Sequence, residues 1–179
     1  MGEYAVFLRG VNVNGITIRT PDLLQTLGTL PLAGVKTYLA SGNVTCSSQL
    51  DPGQLQEQVQ TVLRRDFGYE AWVVVLTLDR LAELVSQVPY PADNPDVHSY
   101  VTFGSDPALL AELADAAAQA GAEQALLGPE AVAWPQPKGA TLDSAMAKLG
   151  SKARFKASTT TRNVRTLQKM LAKQNRPRT

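Results

Sequence analysis

Two polar segments of this chain carry residue types that could hold an anion. One is Arg9-Gly10-Val11-Asn12-Val13-Asn14-Gly15, and the other is Thr159-Thr160-Thr161-Arg162-Asn163. An arginine leaving the end of a strand offers a planar fork of donors that matches phosphate or carboxylate in bidentate fashion. A helix start offers unpaired backbone N–H groups and the positive end of the helix dipole. The second segment stands where the last helix is expected to begin, so Thr160, Thr161, Arg162 and Asn163 form a candidate seat for a phosphorylated or other anionic small molecule. Arg9 would add its guanidinium, and Asn12 and Asn43 would orient the ligand. An enzyme acting on such a molecule would use the same pocket. A purely structural reading stands beside this one: threonine is a common N-cap, Gly10 and Gly42 suit turns, Arg9 can pair with an internal acid, and Gly-Asn between strands suits a hairpin.

Other chemistries fail on spacing. Gly10 and Gly15 have the separation of a phosphate loop, but Ile16-Thr17 replaces the Lys-Ser/Thr that would touch phosphate and metal. There is no Gly-x-Ser-x-Gly elbow. His98 is the only histidine and has no evident nucleophile, and Cys46 sits in strand phase with Val44, a core position. One histidine, one cysteine and scattered carboxylates such as Asp93 and Asp96 make no metal-ligand pattern, so no metal and no cofactor are expected. Trp72 and Trp134 fall in expected strands and read as core.

Charge supplies a second candidate. All sixteen acidic residues lie at or before Asp143, giving that part a net −9, whereas the residues after it carry ten Lys and Arg and no acid. Such asymmetry points to an anionic partner, either nucleic acid or the acidic part of the chain itself. On a final helix, Arg162, Arg165, Lys169 and Lys173 would share one stripe opposite Val164, Leu167 and Leu171. Arg165, Lys169 and Lys173, with Arg176 and Arg178 beyond, are the candidate nucleic-acid contacts of this alternative. The aromatic residues that stack bases in RNA-recognition sheets are missing from the strand after Gly42, and Tyr100 and Phe103 face opposite ways.

The elements that must position these residues alternate between strand and helix. Expected strands are 4–9, 37–40, 44–47 and 71–76, with helices over 21–27 and along Leu55, Val59, Val62 and Leu63. A helical stripe at Leu81, Leu84, Val85 and Val88 follows, and then a proline-rich segment at Pro89, Pro91 and Pro95 reads as a linker. Beyond it come a strand at 100–103, a helix at 107–120, a hairpin of 125–127 with 132–134, and a helical stripe at Leu142, Met146 and Leu149. An apolar-basic alternation at 153–157 reads as a strand, and the final helix covers about 161–173. The element order β-α-β-β-α-β thus occurs twice. It predicts an α+β protein of duplicated ferredoxin-like halves, 1–90 and 91–179, with mainly antiparallel sheets and an extra basic C-terminal helix.

Three ordered signatures, the Arg9 to Gly15 stretch, Ser41-Gly42-Asn43-Val44 and Thr160-Thr161-Arg162-Asn163, resemble those of the uncharacterised bacterial family named domain of unknown function 1697 (DUF1697). The resemblance implies a pair of ferredoxin-like halves and brings no established activity. It singles out Arg9, Gly10, Asn12, Ser41, Gly42, Asn43, Thr160, Thr161, Arg162 and Asn163, and so adds Ser41 to the candidate ligand residues. Asn14, Ile16 and Val164 depart from the glycine, lysine and tryptophan usual in the family.

The chain is 179 residues long and 44% hydrophobic, enough for one core or two small ones. No apolar run approaches membrane-spanning length and the first ten residues lack a signal-peptide pattern, so a cytoplasmic protein with no membrane partner is expected. A single cysteine fits a reducing compartment.

Overall fold

The computed structural model describes residues 1–9, 17–39, 42–68, 70–139 and 144–172. Among these the chain is an α+β protein with seven helices and two antiparallel four-stranded sheets. It divides into two compact units, Met1–Leu81 and Ala82–Thr179, with the division inside a helix upstream of the proline-rich segment.

The first unit runs β1 (Gly2–Arg9), α1 (Thr20–Leu27), β2 (Leu32–Tyr38), β3 (Asn43–Ser48), α2 (Pro52–Phe67) and β4 (Trp72–Thr77), and enters α3 (Leu78–Ser86). Its strand order is β2-β3-β1-β4, which puts apolar β1 in the interior of the sheet. Alternation sorts the faces. Tyr4, Val6 and Leu8 of β1 join Val44, Cys46, Val73 and Val75 in one buried cluster with Leu23 and Leu27 of α1 and Leu55, Val59 and Leu63 of α2. Helix α2 forms where a capping box meets an apolar stripe. Asp51 Oδ1 accepts from Gln54 N at 2.9 Å, and Gln54 Oε1 accepts from Asp51 N at 3.1 Å. Pro52 follows at the first helical position, and Gly68, in the left-handed region, ends the helix.

Strand β2 begins five residues earlier than the alternation of 37–40 suggested. Gly34 is left-handed and sits where the β2–β3 register shifts between Ala33 and Lys36. This irregularity breaks the period-two pattern that marks a strand.

The second unit continues with β5 (Val97–Gly104), α4 (Pro107–Gln119), β6 (Ala125–Gly128), β7 (Ala131–Pro137), α5 (Ala145–Gly150), α6 (Ala153–Lys156), β8 (Thr159–Asn163) and α7 (Val164–Ala172). Its strand order is β6-β7-β5-β8. Leu110, Leu113 and Ala117 of α4 pack with Val132 and Trp134 of β7, Met146 of α5 and Phe155 of α6. Strand β7 outlasts its neighbour: β6 partners stop at Ala133, whereas Trp134 through Pro137 pair, among the described residues, only with β5. Proline is tolerated on such a stretch because its missing N–H leaves no ladder bond broken on the bare side.

Two expected elements differ in the structure. Residues 153–157, read as a strand, form the short helix α6, in which Phe155 is the one fully buried side chain. Five residues of alternating pattern fit either period, and the single aromatic anchor decides. Residues 161–163, read as the start of the last helix, belong to strand β8, and α7 starts only at Val164. Three successive threonines are β-branched and favour extended backbone. Pairing with β5 from Gly104↔Thr159 to Tyr100↔Asn163 supplies the ladder. Their polarity hid the strand, since no apolar alternation marks it. Leu142, expected on the helical stripe with Met146, lies outside the described residues.

Candidate anion site

The candidate residues are shared between the two units. In unit 1, Arg9 closes β1 opposite Trp72 of β4, and Asn43 opens β3 opposite both Phe7 and Tyr38. Paired residues face the same way, and Phe7 and Arg9 are two apart, so Arg9, Trp72, Asn43 and Tyr38 all project from one face at one end of the sheet. Arg9 is half-buried, and loss of hydration around its guanidinium lowers its pKa from the ordinary arginine value.

The hairpin turn beside Arg9 is tightly held. The Asn43 Nδ2 donates to the Tyr38 carbonyl at 3.1 Å, and the Leu8 N–H donates to the Gly42 carbonyl at 2.7 Å. Between these closures Leu39 has a positive φ, in the left-handed region, and its side chain is 58% exposed. That conformation costs a side-chain-bearing residue roughly 1–2 kcal/mol. Gly42 is left-handed as well. A Cβ on Gly42 would stand 2.7 Å from Leu8 Cβ. Only glycine therefore lets the turn approach β1 this closely. Asn43 is itself buried at 1% exposure, which fits its role in tying the turn. Behind it the Tyr38 hydroxyl lies 3.1 Å from Thr45 Oγ1. Asn12, Gly10 and Ser41 lie outside the described residues.

In unit 2 the expected helix-start seat is replaced by a strand, and this divides its four residues. Thr160 and Arg162 share the face of Phe103 and Val101, whereas Thr161 and Asn163 share that of Thr102 and Tyr100. Arg162 Nη1 donates to Thr160 Oγ1 at 2.6 Å and to the Thr161 carbonyl at 2.9 Å. Thr161 Oγ1 lies 2.8 Å from Thr102 Oγ1, which also accepts from Trp134 Nε1 at 2.9 Å. Asn163 Oδ1 accepts from Arg165 N at 2.9 Å. That bond is typical of a residue that starts a helix. The structure therefore brings Thr160 and Arg162 together and sends Thr161 and Asn163 to the other face.

The alternative contacts sit on α7. Val164, Leu167 and Met170 are buried, and Arg165 and Lys169 are exposed, so the helix is amphipathic as expected. Arg162 does not belong to that helical stripe. Arg165 Nε donates to the Ala92 carbonyl at 2.6 Å. Lys173, Arg176 and Arg178 lie outside the described residues. Among the described residues no group of three or more His, Cys, Asp or Glu could hold a metal ion. No helix there is long and apolar enough to cross a membrane.

Sequence reasoning missed two members of the Arg9 end, Trp72 and Tyr38. Both are aromatic; Tyr38 was read only as a strand residue and Trp72 as core, whereas Trp72 is half-buried. Trp72 meets Arg9 and Tyr38 shares its face through cross-strand register, which the sequence of a single strand does not reveal.

A strand-end arginine among aromatic and amide groups, on one of two antiparallel four-stranded sheets, defines an α+β protein with a polar sheet end. The chain belongs to the family described as "Protein of unknown function (DUF1697)", whose profile matches residues 1–134, so the resemblance read from the three signatures is borne out. The matched stretch contains Arg9, Asn12, Ser41 and Asn43 and ends before Thr160. The fold is similar to that of the conserved bacterial protein SP0830 from Streptococcus pneumoniae, with a TM-score of 0.75 and 21% identity over 96% of this chain and 97% of the other. No curated protein matches the chain.

Proposed function

We propose that this protein binds a small anionic molecule such as a phosphorylated metabolite at Arg9 in unit 1; Thr160 and Arg162 form a separate candidate donor pair within unit 2. The observation that carries the reading is the half-buried guanidinium of Arg9, held at a sheet end and partly stripped of water. A cation in a poorly hydrated site attracts an anion more strongly than one in bulk solvent. Asn43 and the strained turn at Leu39 fix the surroundings of that end, and Trp72 offers a wall. Asn12 and Ser41 belong to the segments that follow β1 and β2 in the chain and are kept as ligand residues; Thr161 and Asn163, on the face opposite Arg162, are left out of its donor pair. An enzymatic role at the same residues would show as turnover of whichever anion binds.

The test is thermal unfolding against inorganic phosphate, nucleotides, sugar phosphates and carboxylates at low and physiological salt. A ligand at about a hundred times its dissociation constant adds about 2.7 kcal/mol, which moves the midpoint of a chain this size by several degrees. The expected result is a salt-resistant shift lost in Arg9→Ala; a shift lost in Arg162→Ala alone would place the anion at the unit 2 pair instead. A panel with no shift, or a shift unchanged in both variants, refutes the reading.

A second reading, nucleic-acid binding through α7, is favoured by the exposure of Arg165 and Lys169 on the solvent side of an amphipathic helix. It requires binding that weakens steeply with salt and depends jointly on Arg165, Lys169 and Lys173.

We also read each unit as ferredoxin-like and the chain as a duplication. The support is that β2-β3-β1-β4 and β6-β7-β5-β8 repeat one arrangement, each built from strand, helix, two strands, helical segment and strand. The buried free thiol of Cys46 supports a reducing, cytoplasmic setting.

A further inference from the structure

Unit 2 contains a cleft that none of the candidate anion ligands lines. Its volume is about 370 Å³. Small-molecule sites are commonly of this size. It opens where β7 runs on past β6, between Trp134–Pro137, the end of α4 with the turn after it, and the start of α5. Its walls are mostly apolar and include Val97, Ala122, Pro135 and Met146. Trp134 stacks on Tyr100 with ring centroids 4.8 Å apart. That stacking keeps the floor rigid.

The polar groups of this cleft are biased toward accepting. Glu123 is the one charged residue among those lining it; it is exposed, and no cation among the described residues pairs with it. Pro135 and Pro137 have carbonyls but no N–H. Ser144 Oγ accepts from Ala147 N at 3.0 Å as the cap of α5, and its hydroxyl and the amide of Gln136 are the side-chain donors of the lining. Helix α5 is six residues long and sums few peptide dipoles, so it contributes little positive potential against Glu123. The field of Glu123 reaches Tyr90, whose phenol pKa is raised first by burial and then by that carboxylate.

We propose that this cleft binds a compact organic cation, an ammonium or guanidinium carried on an apolar body. The charge would meet Glu123, its N–H groups would find the proline carbonyls, and the body would cover Met146, Val97 and the edge of Trp134. An anion would meet Glu123 with repulsion and few donors. This site uses no residue of the proposed anion site, so the two stand or fall separately.

The experiment is a titration of the isotope-labelled full chain, followed by amide and indole NMR, with three probes of like shape: phenethylamine, 2-phenylethanol and 3-phenylpropionate. Phenethylamine should give saturable shifts at the Trp134 indole and at Ala122 and Met146 amides, with the alcohol weaker and the carboxylate silent. Glu123→Gln, a substitution at an exposed position, should weaken phenethylamine about tenfold, equivalent to about 1.4 kcal/mol, and leave the alcohol unchanged. Equal binding of all three probes, absence of saturable shifts at these residues, or an undiminished amine affinity in Glu123→Gln would each overturn the proposal.

Discussion

Replacing Gly42 with alanine should destabilise unit 1 far more than the same change at Gly68. Both glycines are left-handed. That conformation costs an alanine about 1–2 kcal/mol at either position. Only Gly42 adds a collision. Its new Cβ would stand 2.7 Å from Leu8 Cβ and 3.4 Å from the Leu8 carbonyl oxygen, whereas at Gly68 nothing lies within 4 Å. Leu8 cannot step aside easily, because β1 is hydrogen-bonded to β3 and β4 and the Leu8 N–H holds the Gly42 carbonyl at 2.7 Å. Overpacking of this kind costs about 1–3 kcal/mol, so Gly42→Ala totals about 2–5 kcal/mol against about 1–2 kcal/mol for Gly68→Ala. Urea unfolding followed by Trp72 fluorescence measures both, with an unchanged denaturant slope showing that the unfolded state is the same. If Gly42→Ala proves no more costly than Gly68→Ala, the turn does not approach the strand closely enough to exclude a side chain.

Leu39 holds a left-handed conformation that asparagine tolerates better. Leu39→Asn should therefore stabilise the protein by about 0.5–1 kcal/mol in the same urea assay. Thr102→Val leaves the buried Trp134 indole N–H without its acceptor, while Thr161→Val acts at the exposed end of the same chain of bonds. The first should cost about 1–3 kcal/mol in thermal or urea unfolding and the second less. Burial, reinforced by the charge of Glu3, raises the Cys46 thiol from 9.0 to about 11. Between those values the unfolded chain loses a proton that the folded chain keeps, so the Cys46 contribution is intact below pH 9 and is lost as pH rises toward 11, and the fall should be smaller in Cys46→Ser, with Tyr90 adding a fall of the same sign that remains.

Much of unit 1 was legible because its strands are apolar and its helices carry apolar stripes. Residues 4–9 and 71–76 announce β1 and β4, and the stripe Leu55, Val59, Val62 and Leu63 announces α2. The end of unit 2 was not, for two different reasons. Thr159–Asn163 is an edge strand with no apolar partner pattern, so its pairing with β5 leaves no trace in its own residues. Ala153–Lys156 is too short for its period to be read. The consequence for the candidate site is direct: residues adjacent in sequence at 160–163 were gathered into one seat, yet a strand turns alternate residues away from each other. In unit 1 the individual residues were legible, but the company they keep was not. Arg9 was chosen for its chemistry, while Trp72 is set opposite it and Tyr38 on its face only through register.

Pro135 and Pro137 bear on more than ligand chemistry. A strand that outlasts its neighbour is a template on which another chain can add itself, and repeated addition leads to fibres. Two prolines on the bare stretch of β7 remove two donors that an incoming strand would need, so the opening can persist at high protein concentration without inviting self-assembly. The same positions that keep the cleft open toward solvent thus protect the protein from growing along it.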